Sequence, residues 1–227
     1  MSYIENTQLK YADLFAKHGA TLDGLAWPSG EGSHNFRTNK LLEVIDKKLN
    51  NQEKISILDV GCGYGYAVPY IINKVGAENL EYYGIDLMPE FINSAKETYK
   101  NQDNIKFEAI DLDSFAERGG SFDYIFCNGI FTGNHADSQL EWQKVFFRFV
   151  KNYFEKARIG MSFNIITPYC NFLDQNLFHF SPSDMMTYLL MNITHKVRID
   201  HAYPTGFYEY ACFLYHDDII VNRKDLK

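Results

Sequence analysis

Apolar residues along this chain fall into two alternating patterns, short continuous runs and longer stretches with helical spacing. The run Ile55-Ser-Ile-Leu-Asp-Val60 is typical of a strand that is buried on both faces. On this pattern, strands are expected near 55–60, 80–85, 105–110, 122–127 and 158–166. Helices are expected near 66–75, 89–100 and 138–155. Strands that alternate with helices predict an α/β fold with a doubly wound, mainly parallel sheet and helices on both of its faces.

The C-terminal part of the chain departs from this alternation. After a helix expected near 182–191, two strand-like segments follow at 195–200 and 207–215. They are joined by Tyr203-Pro-Thr-Gly206, which is short enough for an antiparallel hairpin. The hairpin brings the expected sheet to seven strands.

The N-terminal part precedes the first strand and has its own pattern. Apolar residues at helical spacing predict helices near 6–18 and 35–49, with a loop rich in turn-forming residues between them. This piece is too short to be a domain, and the full 227 residues suit one α/β domain.

The stretch after the first strand points to a ligand. In Asp59-Val-Gly-Cys-Gly-Tyr-Gly65, glycines stand where the chain must turn tightly and the backbone must approach a ligand closely. Asp86 follows about twenty residues later, at the end of the second expected strand, where an acid can bind ribose hydroxyls. Glycines after a strand, then a helix, then an acid at the end of the next strand together predict an adenosine-containing ligand.

At these residues the chain resembles the class I S-adenosylmethionine (SAM)-dependent methyltransferases. The resemblance is carried by the glycine stretch and by three further segments, Gly84-Ile-Asp86-Leu-Met-Pro89, Ala109-Ile-Asp111-Leu112 and 122–131. It implies a Rossmann-like sheet, SAM as the cofactor, and a single domain over 1–227 in which residues 1–50 form a helical lid. Nicotinamide enzymes usually carry Gly-x-Gly-x-x-Gly, whereas Tyr66 occupies the place of the third glycine here.

The resemblance also implies which residues contact the cofactor. The glycine loop would face the methionine part, Asp86 the ribose and Asp111 the adenine, while the backbone after the fourth strand would face the methionine amine. The implied set is Arg37, Asp59, Gly61, Cys62, Gly63, Asp86, Leu87, Asp111, Leu112, Asn128 and Gly129. Two alternatives stay open, since Asp111 could instead cap a helix and Arg37 could form a surface salt bridge rather than bind the ligand carboxylate.

Composition limits the classes of partner. The formal net charge of −7 argues against a nucleic acid, since affinity for nucleic acids depends on neutralising phosphates. The 16 tyrosines and 18 phenylalanines are many for this length, and they suggest an aromatic pocket or a subunit interface, hence a possible homodimer.

The cysteines and the N-terminus limit the setting. Cysteines stand at 62, 127, 170 and 212 without metal-ligand spacing, so no metal site and a reducing compartment are expected. The N-terminus lacks the charged and apolar regions of a signal peptide, and no apolar stretch is long enough to span a membrane. We therefore expect a cytoplasmic protein whose partner is a small-molecule acceptor.

Methyl transfer to a hydroxyl requires a base, and base candidates follow the carboxyl ends of the strands. His135, in the loop after the fourth strand, is the first choice as the catalytic residue. The rival histidines are His34, His179 and His201. The aromatic residues that could wall the pocket, or simply complete the core, are Tyr11, Trp27, Tyr169, Tyr203 and Tyr208.

The residues after the fourth strand argue against several subclasses. Cys127-Asn-Gly-Ile is not the Asn/Asp-Pro-Pro-Tyr/Phe motif of amino methylation, and no Pro-Cys pair supports cytosine chemistry. The pairing of 128–131 with 160–164 resembles bacterial methyltransferases of capsule and surface-polysaccharide biosynthesis. This resemblance implies O-methylation of a sugar nucleotide or a phosphoramidate. A non-catalytic SAM-binding module and an NAD-dependent oxidoreductase are the alternatives.

Overall fold

The computed structural model describes residues 2–27, 30–45, 54–202 and 208–216. Its strands are β1 (Ile55–Val60), β2 (Leu80–Asp86), β3 (Ile105–Ala109), β4 (Phe122–Cys127), β5 (Ala157–Ile166), β6 (Lys196–Asp200) and β7 (Glu209–Tyr215). Its helices are α1 (Tyr3–His18), α2 (Gly30–Leu41), α3 (Val68–Val75), α4 (Pro89–Thr98), α5 (Leu112–Ala116), α6 (Gln139–Phe154) and α7 (Pro182–Asn192). A short 3₁₀ turn, Leu42–Val44, continues α2.

The strands form one seven-stranded sheet in the order β3-β2-β1-β4-β5-β7-β6. The first five strands run parallel, whereas β7 pairs antiparallel with both β5 and β6. All of β7 except Tyr215 is buried, as expected for a strand that lies inside a sheet rather than at its edge. The predicted doubly wound sheet with a C-terminal antiparallel hairpin is confirmed, although the predicted turn at 203–206 lies outside the described residues.

Two apolar clusters cover the two faces of the sheet. One contains the inner faces of α6 and α7, with Trp142, Phe146 and Phe149 packed on β4 and β5. The other contains residues of α2, α3 and α4, among them Leu41 and Ile71. Both faces of the sheet are therefore shielded from water by apolar side chains, which explains why its strands are nearly continuous apolar runs.

Two helices differ from the sequence expectations. The second helix begins at Gly30, not at 35, although residues 30–33 are turn formers. It ends at Leu41 and continues only as the 3₁₀ turn to Val44, earlier than the expected end at 49. Contacts of its first turns outweigh the weak helix propensity of glycine and serine, since His34 is buried between the rings of Trp27 and Tyr66. The short helix α5 was not expected, because five residues are too few to show a helical period.

Helix α1 lies against segments that follow three different strands. The Tyr3 hydroxyl donates to Asp113 Oδ2 at 2.9 Å, and Asn6 Nδ2 donates to the backbone oxygen of His135 at 3.1 Å. Phe15 packs edge-on against Phe91, with 5.2 Å between ring centres. None of the helices in the described ranges is long and apolar enough to cross a membrane.

Candidate active site

A cavity of about 460 Å³ opens at the carboxyl ends of the parallel strands, where open α/β sheets bind their ligands. Its floor comes from the residues that follow β1, β2, β3 and β4, and its roof from α1 and the segment after it. Every site residue predicted from the sequence lines this cavity except Gly63. The sheet topology thus brings together residues that lie far apart in the chain.

The glycine loop is shaped by close approach as well as by backbone angle. Gly61 has a φ of 74°, and a Cβ built there would lie 2.5 Å from Ile130 Cγ1. A Cβ at Gly63 would lie 2.8 Å from Leu25 Cδ2. Both glycines have a positive φ, which L side chains rarely adopt, and a Cβ would also force Ile130 or Leu25 to move, so the loop favours glycine at these positions. Gly63 donates its N–H to Asp86 Oδ2 at 2.9 Å, so this amide is already used within the protein.

Asp86 is fixed in orientation at the end of β2. Its Oδ2 accepts from Gly63, and its Oδ1 accepts from the Met88 N–H at 2.9 Å. Burial raises the pKa of this carboxyl, and the backbone N–H groups of Met88, Gly63 and Leu87 oppose that shift. A carboxylate has about four acceptor positions, so Asp86 retains capacity for ribose hydroxyls. Leu87 lines the cavity beside it.

Asp59 lies deeper, beneath the glycine loop. Tyr82 donates its hydroxyl to Asp59 Oδ2 at 2.7 Å, and the carboxyl is only 2% exposed. Burial, together with the nearby charge of Asp86, raises the pKa of Asp59 to about 7, against the lowering effect of the Tyr82 hydrogen bond. Cys62 is buried beside these acids, and burial raises the pKa of its thiol well above the ordinary value. Cys62 is thus an unreactive thiol in the loop.

Asp111 caps α5. Its Oδ1 accepts from the Ser114 N–H at 2.9 Å and its Oδ2 from the Ser114 hydroxyl at 2.6 Å. Burial alone would raise the pKa of this carboxyl, but the hydrogen bonds from Ser114 and the backbone outweigh it and lower the pKa. The cap alternative is therefore observed, and the contact with adenine stays a prediction for Asp111 and its neighbour Leu112, both of which line the cavity.

Arg37 is neither at the surface nor free for a ligand carboxylate. Its Nε and Nη2 donate to the two carboxylate oxygens of Glu209 at 2.8 and 2.7 Å, and its Nη1 contacts the Ser33 hydroxyl. The guanidinium also lies 4.8 Å from the ring centre of Trp27. The salt bridge of Arg37 is buried, so the predicted surface salt bridge is wrong. A bidentate contact between Arg37 and a ligand carboxylate is also wrong, because Nε and Nη2 already donate to Glu209. Arg37 still lines the cavity as part of a buried ion pair.

A hydrogen-bonded chain extends this ion pair to the loop after β4. Asn164 donates its Nδ2 to Glu209 Oε2 at 2.7 Å, and its Oδ1 accepts from the Gly129 N–H at 2.8 Å. Gly129 has a φ of 86°, and a Cβ there would lie 2.5 Å from Trp27. The network therefore fixes the backbone at Gly129, whose N–H is used by the protein. Glu209 and Asn164 were not selected from the sequence.

Asn128 presents an unsatisfied acceptor. Its Nδ2 donates to Thr38 Oγ1 at 3.1 Å, whereas its Oδ1 is buried and has no hydrogen-bond partner among the described residues. An unpaired buried acceptor typically costs about 1–3 kcal/mol. Since Asn128 lines the cavity, an N–H donor of a ligand can satisfy this oxygen, whereas the sequence predicted that the backbone here would face the methionine amine.

His135 lines the cavity close to α1, where its backbone oxygen accepts from Asn6. It is 7% exposed, and its ring lies 5.2 Å from Trp142 and 6.1 Å from Tyr11, centre to centre. Burial, with a smaller contribution from the charge of Lys10, lowers the pKa of His135 to about 4. The imidazole is thus neutral near pH 7, as a proton acceptor must be.

The rival histidines are placed differently. His34 also lines the cavity, and burial followed by the charge of Arg37 lowers its pKa to about 4. His179 and His201 do not line it, since His179 Nδ1 lies 3.2 Å from the backbone oxygen of Thr167 and His201 packs on Tyr210. Of the aromatic candidates, Tyr11 and Trp27 line the cavity. Tyr169 and Tyr208 are exposed outside it, and Tyr203 lies outside the described residues.

Comparison with known proteins finds a methyltransferase domain in this chain. Residues 57–152 match a family model described as a methyltransferase domain. A methyltransferase-like protein of Mycobacterium tuberculosis is 27% identical over 166 residues, covering 72% of this chain and 94% of the relative. A malonyl-[acyl-carrier protein] O-methyltransferase of Acetivibrio thermocellus is 30% identical over 93 residues, which is 41% of this chain and only 31% of that protein.

Among solved structures, the magnesium protoporphyrin IX methyltransferase of Synechocystis, with bound S-adenosylhomocysteine, shares the fold. It superposes with a TM-score of 0.59 at 15% identity and covers 82% of this chain and 84% of its own. The glycine loop, the acid after β2 and the seven-stranded sheet ending in an antiparallel hairpin agree with these matches. Residues 57–152 form a methyltransferase domain, and these matches together support a SAM-dependent methyltransferase with SAM as its cofactor.

Proposed function

We propose that the protein transfers the methyl group of SAM to an oxygen of a small molecule bound in the cavity. The observation that carries the proposal is the extent of this cavity. Its lining includes Asp86 and Asn128 after the strands, several residues of α1, and His135, whose backbone oxygen accepts from Asn6 of that helix. A roofed cavity of about 460 Å³ suits a small molecule better than a macromolecular surface.

Two described residues offer contacts that suit the cofactor. Asp86 offers free acceptor positions to a ribose, and Asn128 Oδ1 offers an unpaired acceptor to an ammonium. SAM supplies a methyl group that is already activated by its sulfonium. The protein therefore needs to align an acceptor oxygen with that methyl and exclude water.

His135 is proposed as the general base for a hydroxyl acceptor. It is neutral, lies under the roof formed by α1, and has no ring hydrogen bond within the described residues that would have to break first. Its role would be to accept the hydroxyl proton as the oxygen bonds to the methyl carbon. The name of one relative, an O-methyltransferase, supports an oxygen acceptor.

The acceptors to test first are precursors of capsule or surface polysaccharide, namely sugar nucleotides and phosphoramidates. The proposal rests on the resemblance of segments 128–131 and 160–164. Support comes from the contact between these segments, in which the Gly129 N–H donates to Asn164 Oδ1.

SAM and S-adenosylhomocysteine are expected to bind at micromolar concentration, whereas NAD is not. Isothermal titration calorimetry with the three ligands tests this, and methyl transfer to the acceptor panel, followed by release of S-adenosylhomocysteine, tests catalysis. Tight binding of NAD without a SAM response would contradict the cofactor assignment. SAM binding without transfer to any acceptor would support the alternative of a non-catalytic module.

Residues 1–35 are expected to act as the mobile part of the lid, protected when the cofactor is bound. In α1 the residues that pack against the cavity are half-buried at most, and hydrogen bonds from Tyr3 and Asn6 tie the helix to the body of the protein. Hydrogen exchange with and without S-adenosylhomocysteine measures the effect, with α7, which contributes no residue to the cavity, as the internal control. Equal exchange of α1 in both states would argue against a lid.

A further inference from the structure

Lys10 stands out among the charged groups around the cavity. It lies on the face of α1 that also contributes Tyr3, Thr7 and Tyr11 to the cavity lining. Its Nζ is 5.5 Å from the centre of the Tyr11 ring. Arg37, the arginine of the lining, is paired with Glu209, but Lys10 forms no ion pair with any acid in the described part of the chain.

The surroundings of the ammonium suit an anion. Partial removal from water lowers the pKa of Lys10, and no carboxylate opposes that effect. The residue is exposed as a whole, but its side chain lines the cavity and its Nζ lies beside the ring of Tyr11. A poorly hydrated cation without a counter-charge is stabilised when an anion arrives.

We propose that Lys10 binds an anionic group of the methyl acceptor, a phosphate or a carboxylate, so that the acceptor is an acidic small molecule. This inference rests on the proposed function, because it assumes that the acceptor occupies the end of the cavity beneath α1. Lys10 would act as a residue that selects and positions the acceptor, not as one that takes part in the displacement.

The neighbours of Lys10 place its anion beside the proposed base. Tyr11 lies next to Lys10 and also faces His135, with 6.1 Å between the two ring centres. The positive charge of Lys10 is felt at His135, whose pKa it helps to lower. An anion bound to Lys10 would therefore leave a neighbouring hydroxyl of the same molecule near His135. The anion would also offset the positive charge of Lys10, which lowers the pKa of His135.

Lys10 also offers a link between acceptor binding and closure of α1. The described contacts of this helix with the body include two side-chain hydrogen bonds, from Tyr3 and Asn6. An anion held by Lys10 would add a third link across the cavity. The acidic group of the acceptor would thus favour the closed position of the helix.

The test uses simple anions as probes on the full chain saturated with S-adenosylhomocysteine. Inorganic phosphate and acetate are titrated while tryptophan fluorescence is recorded, since Trp27 and Trp142 both line the cavity. Wild type is expected to show a saturable response. Lys10→Met should weaken it at least tenfold, while Lys10→Arg, which keeps the charge, should retain most of it. The stronger of the two probes indicates whether the acceptor carries a phosphate or a carboxylate.

Lys17→Met is the matched control. Lys17 lies on the same helix and carries the same charge, but it pairs with Asp13 at 2.6 Å on the surface and does not line the cavity. An equal thermal shift by S-adenosylhomocysteine in all variants shows that each is folded and binds the cofactor. Loss of the anion response in Lys17→Met as large as that in Lys10→Met would show a general charge effect and overturn the proposal.

Failure of this inference differs from failure of the proposed function. No saturable anion response in wild type, or a response that survives Lys10→Met, overturns the role of Lys10 even if methyl transfer occurs. Equal transfer to neutral alcohols and to their phosphorylated counterparts does so as well. Anion binding that depends on Lys10, without transfer to any acceptor, supports the site and contradicts the proposed catalysis.

Discussion

His135→Ala is expected to lower kcat by about 10²–10⁴-fold with a hydroxyl acceptor, the usual contribution of a general base. The affinity for SAM should stay nearly unchanged, because His135 is not among the residues predicted to contact the cofactor. Initial rates at saturating SAM, together with calorimetry, separate the two quantities. A loss below about tenfold would remove His135 as the base.

His179→Ala is the control for His135→Ala, since His179 does not line the cavity. His34→Ala tests the second buried histidine, whose pKa is also lowered to about 4. Small losses at His34, His135, His179 and His201 alike would mean that the methylated oxygen is itself anionic and needs alignment rather than a base. That outcome would leave the inferred role of Lys10 intact, because the anion on Lys10 would then be the reacting group.

Asp86→Ala is expected to weaken SAM binding by about 1.5–3 kcal/mol, the range for hydrogen bonds to a charged group. This corresponds to a loss of about 10- to 150-fold in affinity. Besides the predicted ribose contact, the carboxylate accepts the N–H groups of Gly63 and Met88, so its removal also loosens the glycine loop. Calorimetry with SAM and S-adenosylhomocysteine measures the change.

Two further variants make the Asp86 result specific. Asp86→Asn keeps one carbonyl acceptor for the backbone, so it should preserve the loop better than alanine while still losing the charge. Asp103→Ala removes an exposed carboxylate between α4 and β3, far from the cavity lining, and should leave the affinity unchanged. A folded Asp86→Ala protein with wild-type affinity would exclude Asp86 from the ribose site.

The sheet could be predicted because its signal is local. Each parallel strand is a short apolar run, and β1 through β4 start and end within a residue of the expected positions. α2 and α5 were harder, since their first turns are held by contacts and caps that residue spacing does not show. His34 packs between two rings, and Asp111 bonds Ser114. In α2, tertiary contacts override the weak helix propensity of the first turn. In α5, the helix is too short to show a helical period in the sequence.

The candidate site likewise contains residues that the sequence predicts and residues that only the fold brings together. Residues directly after a strand, such as Asp86 and Asn128, were found because parallel strands deliver their carboxyl ends to one edge of the sheet. The partner of Arg37 was not found, because Glu209 lies 172 positions away and only the fold brings the two together. A role for Lys10 cannot be predicted either, since nothing in the sequence shows which face of α1 turns toward the cavity.

The position of β7 has a consequence for biosynthesis. This strand is translated after the six others, yet it is inserted between β5 and β6 and carries Glu209 into the cavity wall. A nascent chain on the ribosome can form the parallel half of the sheet, but β6 has no neighbouring strand until β7 emerges. Until then the Arg37 guanidinium lacks the carboxylate that neutralises it in the finished protein. The wall beside Asn128 is thus completed only in the last steps of synthesis, and a ribosome-bound chain stalled before β7 should not yet capture SAM.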